Sequence, residues 1–337
     1  MSFVRSAAAL AGLVALTLPA ATLPAQAEVK ELRIAKQYGL GYLQMMLMED
    51  MKLVEEQARK AGIGDLKVSW ATFRSSDVMN DALISSTIDF VCLGVPGIAT
   101  IWAKTRGNMD VKAASGLNAI PLFLNTRDPR IKSIRDLTDK DRIAMPAVKV
   151  SMQAIFLQMA AAKEFGEANF TKLDSLTVSM AHPDGMAAFL SGAGEINNHF
   201  TSAPFQYKEL ARPGVRRLLS STEILGSKIS FNLISTTSKF QRENPKVYDV
   251  FLAALEDATQ RINKDKRWAA EQYLRIANDR SPIEEMMVMM NDPEIEFTTR
   301  PFGASKMIDF MHRTGSIKVK PDSWKDMSFP NLHQFEG

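Results

Sequence analysis

Polar and aromatic residues directly follow the predicted strands of this chain, and these positions hold its candidates for chemistry. Tyr38 and Tyr42 flank two glycines after the first strand, and Arg74 and Ser75 follow the second. Tyrosines form the walls of pockets, and an arginine binds a carboxylate or a sulfonate through two parallel hydrogen bonds. These residue types favour recognition of a small molecule. The alternatives are a glycine turn with core aromatics, and an arginine that is solvated or tied to a nearby acid such as Asp77.

Two further turns predict helix starts that attract anions. Val95 and Pro96 follow the third strand, and proline suits the first turn of a helix. Ser151 suits the position that caps the start of a second helix, and Lys149 stands two residues before it. Free backbone N–H groups at a helix start attract negative charge, and Lys149 would add a full positive charge. A solvated surface lysine is the alternative.

The other candidates are residues at the remaining loops beyond strand ends, where open α/β sheets bind their ligands. They are Leu40, Asn118, His199, Thr201 and Ser202. Thr201 and Ser202 offer hydroxyl groups, and His199 has no second histidine nearby in sequence, which favours a neutral hydrogen-bonding role over metal binding. The chain shows no nucleophile elbow, no glycine-rich phosphate loop and no metal-ligand spacing. We therefore predict no catalytic residues, no metal and no cofactor.

Short apolar runs alternate with segments of helical period, a pattern typical of a mainly parallel sheet covered by helices. The first series places strands at 32–36, 66–70, 90–93 and 111–115, with a helix over 42–61. A second series has strands at 142–144, 176–180, 196–200 and 216–220. A strand at 230–236 then returns to the first unit, and helices at 245–264 and 266–277 follow. The chain thus crosses twice, near residue 125 and near 225–230, which predicts a hinge and a ligand cleft between two α/β lobes.

The N-terminus predicts export. Arg5 is followed by an apolar run over 7–18 and by Ala25, Gln26 and Ala27, a small-x-small cleavage pattern. We predict a signal peptide over 1–27, cleaved after Ala27, with a first lobe formed by 28–125 and 228–337 and a second by 126–227. No cysteine stands in the signal peptide to carry a lipid anchor, so the expected location is the periplasm.

The amino-acid composition limits the kinds of partner and the roles of the sulfur-containing residues. The chain has 41 basic and 38 acidic residues, a balance that does not favour nucleic acid or a membrane surface as the partner. Its single cysteine, Cys92, stands in an apolar run and is predicted to be an inert core residue. The 19 methionines cluster at 45–51 and 286–290, which favours helix packing over a ligand-binding stripe.

Several sequence segments resemble those of a known family in their order and spacing. They are Leu32-Arg33-Ile34-Ala35, the stretch 80–90, Gly94-Val95-Pro96-Gly97, Ile134-Arg135-Asp136-Leu137 and the stretch 194–200. Together they resemble the substrate-binding components of nitrate/sulfonate/taurine ABC importers, over nearly all of the chain after residue 27. Ser86-Thr87 departs from that family's usual glycine before the Ile-Asp step.

The resemblance implies a type II periplasmic-binding-protein fold and no chemistry on the ligand. The helix starts with Arg74 or Lys149 would suit a small organic anion such as a sulfonate, taurine-like compound, nitrate or carboxylate. The resemblance implies delivery of this solute to permease and ATPase subunits, and we expect a monomer, because the protein must present both lobes to its transporter. Two alternatives stay open at this point: a periplasmic sensory subunit that signals to a receptor kinase, and a pyrimidine-synthase-like enzyme on the same fold.

Overall fold

The computed structural model describes residues 28–335 and residue 337. The predicted signal peptide, residues 1–27, lies outside the described residues. The strands are β1 Glu31–Lys36, β2 Lys67–Thr72, β3 Val91–Leu93, β4 Val111–Ala119, β5 Phe123–Thr126, β6 Arg142–Met145, β7 Thr177–Ser179, β8 Ile196–Thr201, β9 Arg216–Ser220, β10 Asn232–Thr237 and β11 Glu296–Phe297.

Helices alternate with the strands and then dominate the C-terminal third. They are α1 Leu43–Asp50, α2 Leu53–Lys60, α3 Ser76–Ile84, α4 Val95–Thr105, α5 Met152–Phe165, α6 His182–Ser191, α7 Phe205–Leu210, α8 Ser221–Leu225, α9 Ser238–Glu243, α10 Pro245–Lys264, α11 Lys266–Ile276, α12 Ile283–Met290 and α13 Ser305–Arg313.

The strands form two separate layers. In the first, β11, β4, β10 and β3 pair in that order, and the parallel pair β1–β2 joins them through a bridge between Ile34 and Phe90. In the second, the order is β7, β6, β8, β5 and β9, with β6 parallel to β7 and β8. The mixed α/β class predicted from the sequence is confirmed.

The chain changes sheet twice. It leaves the first sheet after β4 and enters the second at β5, which pairs with β8 and β9. It returns at β10, which lies antiparallel between β4 and β3. Residues 123–125, assigned from sequence to the first lobe, therefore hydrogen-bond within the second sheet, because Phe123 and Leu124 pair with Thr201 and Phe200. The lobe bounds themselves stay a prediction.

One predicted helix is two helices. The span 42–61 is interrupted between α1 and α2, where Lys52 adopts a left-handed conformation with φ 53°. This conformation stops the helical hydrogen-bond ladder. Both halves pack on α10, but α1 also contacts α11 whereas α2 also contacts β2.

The core confirms two expectations about sulfur-containing residues. Met45, Met48, Met286 and Met289 are buried by helix packing. Cys92 is fully buried in β3, and this burial raises the pKa of its thiol well above the ordinary value. A buried thiol with a raised pKa is a poor nucleophile.

Candidate functional site

A small cavity lies between the two sheets at the carboxyl ends of their strands. Gln37 follows β1, Ser76 opens α3 after β2, and Gly94 follows β3; from the other sheet, Pro146 follows β6 and His182 opens α6 after β7. The wall is completed by Tyr42, Ser151, Met152, Gln153, Phe231 and Asn232. Its volume is about 20 Å³, enough for about one water molecule. The cleft is thus closed in this conformation to anything much larger than a water molecule.

Four helices begin at this cavity. Helices α3 and α4 start from the first sheet, and α5 and α6 start from the second. Ser151 caps α5, because its hydroxyl accepts from the N–H of Ala154 at 3.2 Å. The other first-turn N–H groups of these helices give the cavity a partial positive potential. Among the described residues of the wall, none is Asp, Glu, Lys or Arg, so the wall favours an anion without neutralising it by a full charge.

Buried amides position the first wall of the cavity. Asn118 donates from Nδ2 to the carbonyl of Gly41 at 2.7 Å, and Asn232 donates to the same carbonyl at 3.2 Å. The hydroxyl of Tyr42 donates to Oδ1 of Asn232 at 3.4 Å. These bonds hold the turn over residues 39–42 against β4 and β10, and so fix the Tyr42 ring at the cavity.

A buried polar network backs the opposite wall. The Nδ1 atom of His182 lies 2.7 Å from Oγ1 of Thr201, and Nδ1 of His199 lies 2.5 Å from Oε1 of Glu209. The second oxygen of Glu209 accepts from Asn125 at 2.9 Å. Burial, together with the His199 ring, lowers the pKa of His182 from 6.5 to about 3. His182 therefore stays neutral at physiological pH.

A larger cavity adjoins the first at Gln37, which contributes to both walls. Its volume is about 490 Å³. Residues of both sheets' loops form it, including Tyr38, Pro183 and Phe205, and the segment after α11 closes one side. Aromatic and apolar side chains make up much of its wall, while Lys36 and Arg280 add positive charge and Asp279 adds negative charge. We call the two spaces the inner and the outer cavity.

Contacts across the cleft hold the closed arrangement. The N–H of Leu40, in the loop after β1, donates to the carbonyl of Ala203, in the loop after β8, at 2.9 Å. On the outer side, Lys208 of α7 pairs with Asp279 at 2.5 Å. On the far side, Arg313 of α13 pairs with Glu167 at 2.9 Å.

Solved structures of low sequence identity share the fold of this chain. The alkanesulfonate-binding protein SsuA of Xanthomonas axonopodis pv. citri, bound to MOPS, matches with a TM-score of 0.67 at 16% identity, covering 88% of this chain and 96% of that chain. The periplasmic nitrate-binding protein NrtA of Synechocystis matches with 0.66 at 14%, covering 88% and 84%. A Candida albicans protein with the generic periplasmic binding protein structural fold matches with 0.66 at 14%, covering 87% and 92%.

This chain has the periplasmic-binding-protein fold. The fold class predicted from the sequence is thereby confirmed. Neither a family model nor a curated protein matches the sequence. In the part of the chain that the structure describes, no helix is long and apolar enough to cross a membrane. The same residues contain no group of three His, Cys, Asp or Glu side chains that could hold a metal ion.

In this fold the sequence-predicted site residues divide into those at a cavity and those away from one. Tyr42 and Ser151 line the inner cavity, and Tyr38, with 43% of its surface exposed, lines the outer one. Arg74 and Lys149 are exposed and are not among the residues that line either cavity. Their contact with a ligand stays a prediction.

The remaining predicted residues are buried close behind the walls. Leu40 makes the bond across the cleft, and Asn118 supports the turn beside Tyr42. Val95 and Pro96 form the first turn of α4, and Ser75 precedes α3 with its hydroxyl unpaired among the described residues. His199 and Thr201 lie at the end of β8, and Ser202 directly follows the strand; all three are buried.

Sequence reasoning missed several residues of the inner wall. They are Gln37, Ser76, Gly94, Gln153, His182, Phe231 and Asn232. A signal existed for most of them, because they too stand directly after strands. His182 follows β7 in the same way that Ser75 follows β2. The rule selects loops, but it does not tell which side chain of a loop faces the cleft.

Proposed function

We propose that this protein is the solute-binding component of an ABC importer and captures a small organic anion between its lobes. The observation that carries the proposal is the inner cavity. It lies at the carboxyl ends of strands from both sheets, four helices begin at it, and its described wall has no acidic side chain. Helix starts stabilise negative charge, and acidic side chains would oppose it.

The structural neighbours support this ligand class. One is described as an alkanesulfonate-binding protein bound to MOPS and another as a periplasmic nitrate-binding protein. Sulfonate and nitrate are both compact oxyanions whose oxygens accept hydrogen bonds. The inner cavity of this chain offers backbone N–H groups at helix starts, which are the complementary donors.

The two cavities suggest the shape of the ligand. The inner cavity, about 20 Å³ in this conformation, would take a compact oxyanion once its walls move slightly apart, whereas the outer cavity, about 490 Å³, has room for a larger body. Tyr38 and Phe205 would flank an apolar or aromatic portion there. The lobes open to admit the solute, and closure is favoured by the extra contacts that the solute makes in the closed state.

The cellular setting follows from the same proposal. Export by a signal peptide over 1–27 would place the protein in the periplasm, and a monomer would present both lobes to the permease. The solute leaves unchanged, so the protein is not an enzyme. An enzyme on this fold would need reactive groups at the cleft, whereas the wall of the inner cavity offers neutral amides, hydroxyls and one neutral imidazole.

The test is a thermal-shift and calorimetric screen of the purified protein with matched pairs of compounds. Ethanesulfonate, nitrate and benzoate are each compared with a neutral or cationic relative, such as diethyl sulfone, nitromethane or benzylamine. A solute that binds only the folded state at 100 times its Kd adds about 2.7 kcal/mol to the free energy of unfolding. The proposal expects an anion to raise the Tm in a concentration-dependent way. Stabilisation by cations alone would contradict the proposed ligand class, and no stabilisation by any compound would contradict solute binding.

A further inference from the structure

The inner cavity contains one side chain whose hydrogen-bonding role the fold fixes in advance. His182 is 4% exposed, and its Nδ1 atom lies 2.7 Å from Oγ1 of Thr201. Its ring stacks on Phe205, with centroids 5.5 Å apart and planes 19° apart. The ring is thus held by a hydrogen bond at one nitrogen and by packing on one face, and rotation about its bonds is restricted.

The pairing with Thr201 determines where the imidazole proton resides. A hydroxyl has one proton to donate, and within the described residues the Thr201 hydroxyl has His182 Nδ1 as its hydrogen-bond partner. If Nδ1 carried the proton, that hydroxyl proton would be buried without an acceptor. The arrangement that satisfies both groups has Thr201 donating to Nδ1, and this places the proton of the neutral ring on Nε2.

The other nitrogen faces the inner cavity. Nε2 of His182 makes no hydrogen bond to the described residues, yet it is not among the buried side-chain atoms without a partner. It therefore has accessible surface, and the cavity that His182 lines supplies that surface. Nε2 of His199 is the contrasting case, since it is buried, unpaired and packed where a Cβ on Gly185 would meet it at 2.6 Å.

We propose that His182 is a specificity-determining residue of the inner cavity and that Thr201 is its positioning residue. Thr201 keeps the Nε2–H bond of His182 directed at the solute. The inner cavity then selects solutes whose inserted end only accepts hydrogen bonds, such as a sulfonate or nitrate group, and rejects an end that must donate, such as an ammonium or a primary sulfonamide. This inference rests on the proposed function, because it assumes that a solute occupies the cavity.

The first test measures the tautomer directly and needs no ligand. The chain has four histidines, so the ¹⁵N resonances of their rings can be assigned by replacing each in turn. The expected result for His182 is an unprotonated Nδ1 and a protonated Nε2. Thr201→Val should abolish this preference, and Thr201→Ser, which keeps the hydroxyl, should restore it. A protonated Nδ1 in the wild-type protein would overturn the proposal.

The second test measures selection, with ethanesulfonate and ethanesulfonamide as probes. Loss of a hydrogen bond to a charged group weakens binding by about ten- to a hundredfold. His182→Phe and Thr201→Val are each expected to weaken ethanesulfonate binding by about that factor and to narrow the difference between the two probes, and Thr201→Ser is expected to recover it. Binding of ethanesulfonate that both variants leave unchanged would overturn the role of His182 alone. If neither probe nor any other anion bound the wild-type protein, the proposed function itself would fail.

Discussion

Replacement of Gly39 by alanine tests the closed arrangement most directly. Gly39 stands in the loop after β1 with φ 104° and ψ 174°, a backbone region that is open essentially to glycine alone. A Cβ at this position would lie 2.9 Å from the carbonyl oxygen of Ala203, across the cleft. The same oxygen accepts the N–H of Leu40 at 2.9 Å. The added methyl group would therefore disrupt the hydrogen bond between Leu40 and Ala203, which joins the two lobes across the closed cleft.

The expected magnitude divides into two parts. Backbone strain at such a position costs about 1–3 kcal/mol, and it is present whether the cleft is open or closed. The clash with Ala203 breaks the bond to Leu40, and a bond of this kind contributes about 0.5–1.5 kcal/mol. Only the second part falls on the closed state alone. Gly39→Ala should thus weaken solute binding by about two- to twelvefold, in addition to lowering the global stability.

The assay separates these parts with a matched control. Gly62 also has a positive φ, 71°, but a Cβ there meets nothing within 4 Å. Gly62→Ala should lower the free energy of unfolding in urea and leave the Kd for a bound anion unchanged. Gly39→Ala should lower the free energy of unfolding and also raise the Kd for the anion, and X-ray scattering should show a larger radius of gyration than the wild-type protein has with the anion present. If Gly39→Ala bound the anion as tightly as Gly62→Ala, the contact between Gly39 and Ala203 would have no part in closure.

Three further predictions concern charged groups. The pKa of His182 is lowered to about 3 in the folded protein, so below pH 6.5 the unfolded chain takes up a proton at this side chain that the folded protein does not. The stability that the neutral His182 contributes is therefore fully present above pH 6.5 and is lost as the pH falls towards 3. His182→Phe should therefore lose about 2 kcal/mol less than the wild-type protein in free energy of unfolding between pH 6.5 and pH 5, and equal losses in urea unfolding would contradict it. The side chains of Lys208 and Asp279 are 18% and 12% exposed. A double-mutant cycle of Lys208→Met and Asp279→Asn should therefore show a coupling energy of about 1 kcal/mol in anion binding. If the two effects on anion binding were additive, the pair would not stabilise closure. Arg74→Ala and Lys149→Ala should slow anion association at low salt by about two- to fivefold and lose that effect at high salt; a faster dissociation, measured by stopped flow, would instead indicate the direct contacts predicted from the sequence.

The sequence predicted regular elements well where each carried its own local signal. The helix over 245–264 agrees with α10, which begins at Pro245, and the strand over 216–220 agrees with β9. The strand β5 was not predicted, because it has four residues and is followed at once by the turn-forming residues Arg127, Asp128 and Pro129. Its place in the second sheet depends on pairing with β8, more than 70 residues later in the chain, and no local pattern reports that pairing.

The candidate site was harder to predict because its wall combines residues from distant loops. The strand-end rule selected the loops that contain Tyr42 and Ser151, and both line the inner cavity. It also selected the loops of Arg74 and Lys149, whose side chains point to solvent. Lys149 has φ 65°, a left-handed conformation that turns its side chain away from the direction that an extended backbone would give. Arg74 and Lys149 were predicted because of their charge, but the side chain that lines the inner cavity is that of the neutral His182.

The contacts that close the cleft bear on how much a solute must contribute. Arg313 and Glu167 are largely exposed, at 56% and 64% of their side-chain surfaces, and exposed ion pairs add little to stability. Better shielded are the pair Lys208 and Asp279, the hydrogen bond from the Tyr207 hydroxyl to Asp292, and the backbone bond from Leu40 to Ala203. A solute shifts the ratio of closed to open protein from about 1:99 to about 99:1 when it binds the closed state about 5.5 kcal/mol more tightly than the open state. An anion that gains two or three hydrogen bonds at helix starts and at His182 only when the lobes meet can supply energy of that order. The hydrogen bonds of a small solute are therefore of the size needed to shift the lobes from an open to a closed arrangement.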